Sequence, residues 1–140
     1  MPPDVVAVLG PTAVGKSHLA IRLAQRFRGE IINCDSTAVY RGFDIGTDKL
    51  MPHERRGIPH HLIDIVAPTE VYTAARFATD AAALIDALTA RGVLPIVVGG
   101  TGLYYRALTR GLFPGPPADE ALRARLDRVA DRRGVRALHR

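Results

Sequence analysis

Residues 8–20 read VLGPTAVGKSHLA. Gly10 and the run Gly15-Lys16-Ser17 enclose Pro11, Thr12, Ala13 and Val14 in the spacing GxxxxGK[ST]. Upstream, Asp4 to Leu9 (DVVAVL) is a short β-rich apolar run. Downstream, Leu19, Ile21, Leu23, Ala24 and Phe27 mark the apolar face of a helix predicted over Ser17 to Arg28. Strand, glycine loop and helix, in that order, form the context in which this spacing binds phosphate. The glycines let backbone N–H groups close on phosphate oxygens and the helix N-terminus adds positive potential. Lys16 brings a point charge, and the Ser17 hydroxyl can ligate Mg²⁺. Gly10 to Ser17 are therefore the predicted phosphate-binding loop.

Working outward, Glu30 to Cys34 (EIINC) reads as a second strand after the Gly29 stop, so the opening is predicted to be a βαβ unit with a parallel pair. Residues 35–68 are rich in turn formers and charges, with only HLIDIV strand-like, and read as a long active-site segment. Alanines and leucines from Thr73 to Ala90 predict a second helix ending at Arg91-Gly92. Val93 to Val98 (VLPIVV) is a buried strand running into Gly99-Gly100-Thr101. A short helix over Gly102 to Thr109 follows, then GLFPGPP breaks regular structure before a basic helix with Leu122, Leu126 and Val129 at helical spacing. The expected fold is a P-loop NTPase-like three-layer α/β core with a parallel sheet over residues 1–112, with residues 113–140 starting a basic helical segment.

Composition agrees with a folded domain: the chain has 140 residues, of which 47% are hydrophobic. No apolar run reaches the ~18 residues of a membrane span, and no secretory pattern opens the chain, so the expected compartment is the cytoplasm. The single cysteine, Cys34, follows an apolar strand and reads as a half-buried structural thiol. Net charge is +5, yet residues 1–120 hold 12 basic and 12 acidic side chains. The whole excess comes from residues 121–140, where seven arginines face Asp127 and Asp131. Such a block suits either a solvated helix face or a nucleic-acid backbone.

A nucleotide hydrolase of this kind also needs a metal-organising carboxylate, usually an Asp after four apolar strand residues. The strand LPIVV ends instead in Gly-Gly-Thr, and Asp64 has only Leu62 and Ile63 before it. That gap points to a diphosphate that is not hydrolysed. Asp35 sits at the carboxyl end of the second strand, on the same sheet edge as the glycine loop. There it can accept a proton from an attacking amine or hydroxyl, or serve as a turn or cap residue. Thr101 ends the third strand on that edge and reads as a phosphate or substrate contact, or as a plain helix cap. His60-His61 point to opposite faces of a strand and have no second Cys/His cluster, which disfavours a metal site. Tyr40, Tyr104 and Tyr105 fit either the core or a base-stacking role.

These pieces, in this order, resemble the bacterial tRNA dimethylallyltransferases, also called tRNA isopentenyltransferases. The resemblance lies in GPTAVGKSHLAIRLA, EIINCDSTAVYRGFDIGTDK, PHHLIDIV, YTAARFATDA, GVLPIVVGGTGLYYRALTRGL and ALRARL, which cover nearly the whole chain. It implies transfer of a dimethylallyl group from dimethylallyl diphosphate to N6 of the adenosine just 3′ of the anticodon, in tRNAs reading codons that begin with U. By the same resemblance, Gly10 to Ser17 hold the diphosphate and Mg²⁺, with Ser17 as metal ligand. Asp35 takes the proton from the adenine amino group, while Lys16 and Thr101 stabilise the departing diphosphate. Asp35, Ser36, Thr37, Ala38, Thr101 and Arg123 are expected to contact the tRNA anticodon stem-loop. Ala38 departs from the family pattern, which usually has Gln at that place. Family members run on for about as long again with a helical tRNA-gripping insertion, so the chain corresponds to their N-terminal part, expected as a monomer.

Two other readings fit the same residues. One is a P-loop small-molecule kinase with Asp35 as base for a substrate hydroxyl; it predicts ATP binding and an Arg-bearing lid. The other is a non-catalytic RNA-binding module whose basic tail holds RNA while the glycine loop stabilises the fold.

Overall fold

The most apolar strand of the chain takes the centre of the sheet. The computed structural model describes residues 4–113, 115 and 118–139. Its four strands, β1 (Val6–Leu9), β2 (Gly29–Asn33), β3 (His60–His61) and β4 (Leu94–Gly99), lie in the order β1-β4-β2-β3, all parallel. The sequence reading made β1 and β2 direct partners; β4 lies between them instead. LPIVVG is apolar enough to be covered on both faces, which is what an inner parallel strand needs. β1 alternates between half-buried and exposed residues and sits at the edge.

Alternation along β2 and β4 feeds two cores. Ile31, Ile96 and Val98 face α1 (Lys16–Phe27), where they meet Ala20, Ile21 and Ala24. Ile32 and Val97 face the opposite layer, formed by α2 (Ala74–Ala90) and α3 (Gly102–Arg110). The result is the expected three-layer arrangement. In α2 the buried positions Ala74, Phe77, Ala81, Ile85 and Leu88 follow the helical period, and the Thr73 hydroxyl accepts from the Arg76 N–H at 3.1 Å to start the helix. Phe77 stacks on Tyr104 with ring centroids 4.9 Å apart, and the Tyr104 hydroxyl donates to the Tyr72 carbonyl at 3.0 Å. Tyr104 is thus a core residue.

The strand-like run HLIDIV forms sheet only at its first residue. Leu62 (φ 58°) and Asp64 (φ 55°) leave the extended region, so β3 stops at His61. Further on, only a bridge between Tyr40 and Val66 continues the pairing. The predicted break over Gly111 to Pro117 falls partly outside the described residues. Beyond it, α4 (Glu120–Arg133) starts at Asp119, whose carboxylate accepts from the Leu122 N–H at 2.9 Å, and it buries no residue. A 3₁₀ turn over Val135–His139 follows.

Candidate functional site

Register decides which residues meet. Leu9 pairs with Gly99 and Asn33 with Val98, so β1, β2 and β4 end at one level of the sheet. The segments leaving them, Gly10, Cys34-Asp35 and Gly100-Thr101, therefore converge at one edge. Cross-bonds fix them there: Cys34 N–H donates to Val98 O at 2.7 Å and Thr101 N–H to Cys34 O at 3.3 Å. A cavity of about 570 Å³ opens at this edge, and Lys16, Ser17, Asp35 and Thr101 all line it.

The glycine loop runs from β1 into α1. Gly15 takes a left-handed conformation (φ 89°) that a side chain rarely adopts, and its carbonyl accepts the first helical bond, from the Leu19 N–H at 3.1 Å. The N–H groups of the first turn thus remain free to bind an anion. Lys16 Nζ folds back onto the Pro11 carbonyl. Pro11 and Thr12 line the main cavity, while Ala13 and Gly15 line an adjoining depression that also includes Lys16 and Ser17. Val14 is exposed.

Asp35 divides its carboxylate between two tasks. Oδ1 accepts from Thr37 N–H at 2.7 Å, Thr37 Oγ1 at 2.7 Å and Ala38 N–H at 3.2 Å, which is the turn-capping role. Oδ2 accepts from none of the described residues and remains available to a ligand. Thr101 does not cap α3 with its side chain. Its Oγ1 instead accepts from the Ser36 N–H at 3.0 Å, tying the end of β4 to the Asp35 turn. Cys34, expected to be half-buried, is fully buried, and this burial together with the neighbouring Asp35 charge pushes its thiol up to about 12. It is a poor nucleophile at neutral pH.

The structure gathers Lys16, Ser17, Asp35, Thr37 and Thr101 about one cavity. It leaves others outside. Ser36 is exposed beside Thr101, whereas Ala38 is 2% exposed and packs inward beneath the turn. Arg123 lies on exposed α4 and does not line the cavity.

Sequence reasoning missed Asn33, Gly46, Thr47 and Asp48, which also line the cavity. Asn33 had a signal, since it sits two residues before Asp35 and strand alternation puts both on one side. Asp48 had none beyond its place in the polar segment 35–68. Asp48 lines each of three adjoining spaces together with Ser17, and its carboxylate makes no hydrogen bond or ion pair among the described residues. Asp64, the acid weighed in the sequence for a metal role, is instead paired with Lys49 at 2.6 Å. The two histidines are occupied as well: His60 Nδ1 lies 2.8 Å from Ile58 O, and His61 Nε2 lies 2.6 Å from Glu30 Oε2.

Fold and site together define a P-loop α/β protein, with its phosphate loop and a carboxylate at one sheet edge. The IPP transferase family model matches residues 38–140, and the chain belongs to that family. It is 55% identical over 140 residues to a tRNA dimethylallyltransferase of Halorhodospira halophila, covering 100% of this chain and 45% of that protein. With the tRNA dimethylallyltransferase of Solibacter usitatus it shares 58% identity over 137 residues, 97% of this chain and 44% of the relative. The chain thus spans about half the length of the curated relatives it matches. Among solved structures, the full-length tRNA isopentenylpyrophosphate transferase of Bacillus halodurans superposes with a TM-score of 0.77 at 47% identity, covering 98% of this chain and 46% of that one. A eukaryotic dimethylallyltransferase captured acting on tRNA gives a TM-score of 0.76 at 39% identity, covering 89% of this chain and 32% of that one.

Proposed function

We propose that this chain carries the catalytic centre of a tRNA dimethylallyltransferase, joining a dimethylallyl group to N6 of the adenosine 3′ of the anticodon in tRNAs that read codons beginning with U. The observation that carries the reading is the shared cavity: residues of the glycine loop and Asp35 line one space, while the strand beside the loop ends in Gly-Gly-Thr with no carboxylate. A donor that loses diphosphate to a nitrogen nucleophile needs that combination. The kinase and binding-module readings gain no support from the relatives.

The diphosphate sits against the N–H groups of Gly10 to Ser17, with Lys16 beside it. The adenine N6 attacks C1 of the dimethylallyl unit, the new N–C bond forms as the C1–O bond breaks, and the electron pair leaves with the diphosphate. Asp35 Oδ2 accepts the proton that N6 gives up. Lys16 and the loop N–H groups stabilise the growing negative charge, where one preorganised donor is worth about 3–4 kcal/mol. Thr101 holds the Asp35 turn against the diphosphate end of the cavity. An adenine stacked in the anticodon loop cannot reach this edge and is flipped out. Ser36 and Thr37 border its entry, and Arg123, with the other arginines of α4, meets phosphates of the stem-loop. Ala38, being buried, contributes through its N–H to Asp35 rather than through its side chain.

The donor set suits Mg²⁺: Ser17 and Asp48 line common space, their hydroxyl and carboxylate are hard oxygen donors, and they would hold the ion beside the diphosphate. When bound, the ion neutralises charge on the diphosphate. We read the protein as a cytoplasmic monomer. No described helix is long and apolar enough to cross a membrane.

The test is Asp35→Asn in the complete protein. Asn keeps the Oδ1 acceptor that caps the turn and removes only the proton-accepting oxygen. Transfer of labelled dimethylallyl to an anticodon stem-loop is expected to fall by about 10²- to 10⁴-fold, with diphosphate binding retained. Undiminished transfer contradicts the role of Asp35.

A further inference from the structure

One buried cation is not used by this chemistry. Lys49 has a side chain only 1% exposed, in a polar loop that the sequence marks as surface. Its ammonium donates to Tyr40 O at 2.8 Å, Asp44 Oδ1 at 2.9 Å and Asp64 Oδ1 at 2.6 Å. All three protons are thereby used. Two acceptors belong to the loop that Lys49 ends, and the third belongs to the turn after β3. That turn is itself bonded to the Asp35 segment, through Asp64 N–H to Ala38 O at 3.0 Å and Ile65 N–H to Val39 O at 2.9 Å.

We infer that Lys49 is a positioning residue: its ammonium closes residues 40–49 into a rigid wall of the cavity and holds Gly46, Thr47 and Asp48 opposite the phosphate loop. This rests on the diphosphate reading above. Hydrophobic burial does not hold the wall, because Ile45 at its tip is 98% exposed and Phe43 is also exposed. Besides Lys49, Arg41 anchors the start of the loop to the same turn, its N–H donating to Val66 O at 2.9 Å and its Nε and Nη2 to Asp64 O and Ile65 O at 3.1 Å each, while the part that carries residues 46–48 is braced by Thr47 Oγ1 donating to Phe43 O at 2.8 Å and by Phe43 resting against Tyr40 with ring centroids 5.5 Å apart. The three residues before Lys49 are those that share cavity lining with Ser17. Removing one partner of an ion pair is costly where the other charge is left buried; here Asp44 and Asp64, left behind by Lys49→Met, are 47% and 41% exposed and water can solvate them. Lys49→Met therefore separates a positioning role from a merely structural one.

The experiment titrates inorganic pyrophosphate with Mg²⁺ into the chain and into its Lys16→Ala, Lys49→Met and Asp44→Asn variants, with hydrogen exchange read over residues 42–48. Lys49→Met is expected to weaken pyrophosphate binding at least tenfold and to speed exchange in 42–48, while α1 and β4 stay protected as in the parent. Asp44→Asn, which leaves an amide oxygen for Lys49 but removes one of its two carboxylate charges and keeps the Asp64 pair, is expected to weaken binding severalfold and carries the test if Lys49→Met does not fold. Binding lost in Lys16→Ala but kept at parent strength in Lys49→Met, or in Asp44→Asn where that variant stands in, overturns this inference alone. Binding indifferent to Lys16→Ala overturns the diphosphate reading and this inference with it.

Discussion

At Gly99 the end of β4 packs tightly on the Cys34 backbone just past β2, and Gly99→Ala tests whether that approach builds the site. A Cβ there would lie 2.0 Å from Cys34 O, 2.5 Å from Cys34 C and 3.0 Å from Cys34 Cα, against ordinary contacts of 3.4–4 Å. Every clashing atom is backbone, so no side chain can swing away. The two strand ends must part by more than an ångström, which strains Cys34 N–H to Val98 O and Thr101 N–H to Cys34 O. Overpacking costs about 1–3 kcal/mol, and two weakened hydrogen bonds add about 0.5–1.5 kcal/mol each. A loss near 3 kcal/mol corresponds to a fall in Tm of about 10 °C for a chain of this size. The same movement draws Thr101 Oγ1 away from the Ser36 N–H and tilts the Asp35 turn, so transfer activity in the complete protein falls at least ~10-fold even well below Tm. Thermal melting by circular dichroism reads the first effect and the prenyl-transfer assay the second. Gly102→Ala is the control, since a Cβ there meets nothing within 4 Å. Gly99→Ala melting with Gly102→Ala and keeping full activity would refute the reasoning.

Phe77→Ala removes a fully buried ring stacked on Tyr104 and is expected to cost about 3–5 kcal/mol in urea unfolding, with the largest loss of exchange protection in α2 and α3. Thr101→Val deletes the acceptor for the Ser36 N–H while keeping the shape; it should lower stability by about 1 kcal/mol and cut kcat more than it raises KM, and Thr101→Ser should restore both. Acid should lower the stability of the chain in two pH windows. Burial, helped by the Arg55 and His61 charges, holds His60 below its ordinary 6.5, so the stability it contributes is complete above 6.5 and is lost as pH falls toward its lowered folded value. Burial opposes charge on Glu30, but hydrogen bonds from His61 and Arg91 outweigh it and keep the group below 4.5, so its contribution is present above 4.5 and is lost as pH falls through that lowered value. Urea midpoints against pH should lose the upper limb in His60→Gln and the lower limb in Glu30→Gln; unchanged limbs would refute those assignments.

Local patterns were legible and long-range choices were not. The phosphate loop, α1 and α2 could be read because their signals are contiguous: glycine spacing, an apolar stripe, a threonine cap. Asp35 and Thr101 followed from the rule that ligands gather at the carboxyl edge of a parallel sheet. The strand order did not follow, because nothing within EIINC or DVVAVL says which neighbour each will take; β4 wins the central place by being apolar on both faces. HLIDIV read as a strand because the residue types favour one, whereas Leu62 and Asp64 adopt left-handed backbone, and Asp64 there pairs with Lys49. Lys49 itself was invisible: a lysine among charges and turns reads as solvated, and only three acceptors brought in from Tyr40, Asp44 and Asp64 make its burial possible. Ala38 shows the same limit, since it stands in a motif read for contact and points into the core.

A prenyl diphosphate rather than ATP is the ligand proposed for the glycine loop. Calorimetric titration of the chain with dimethylallyl diphosphate and with ATP, each with Mg²⁺, and again with Lys16→Ala, tests it most directly. Dimethylallyl diphosphate is expected to bind more tightly than ATP, and Lys16→Ala to abolish that binding. Tighter binding of ATP would contradict the proposal and return the site to a kinase.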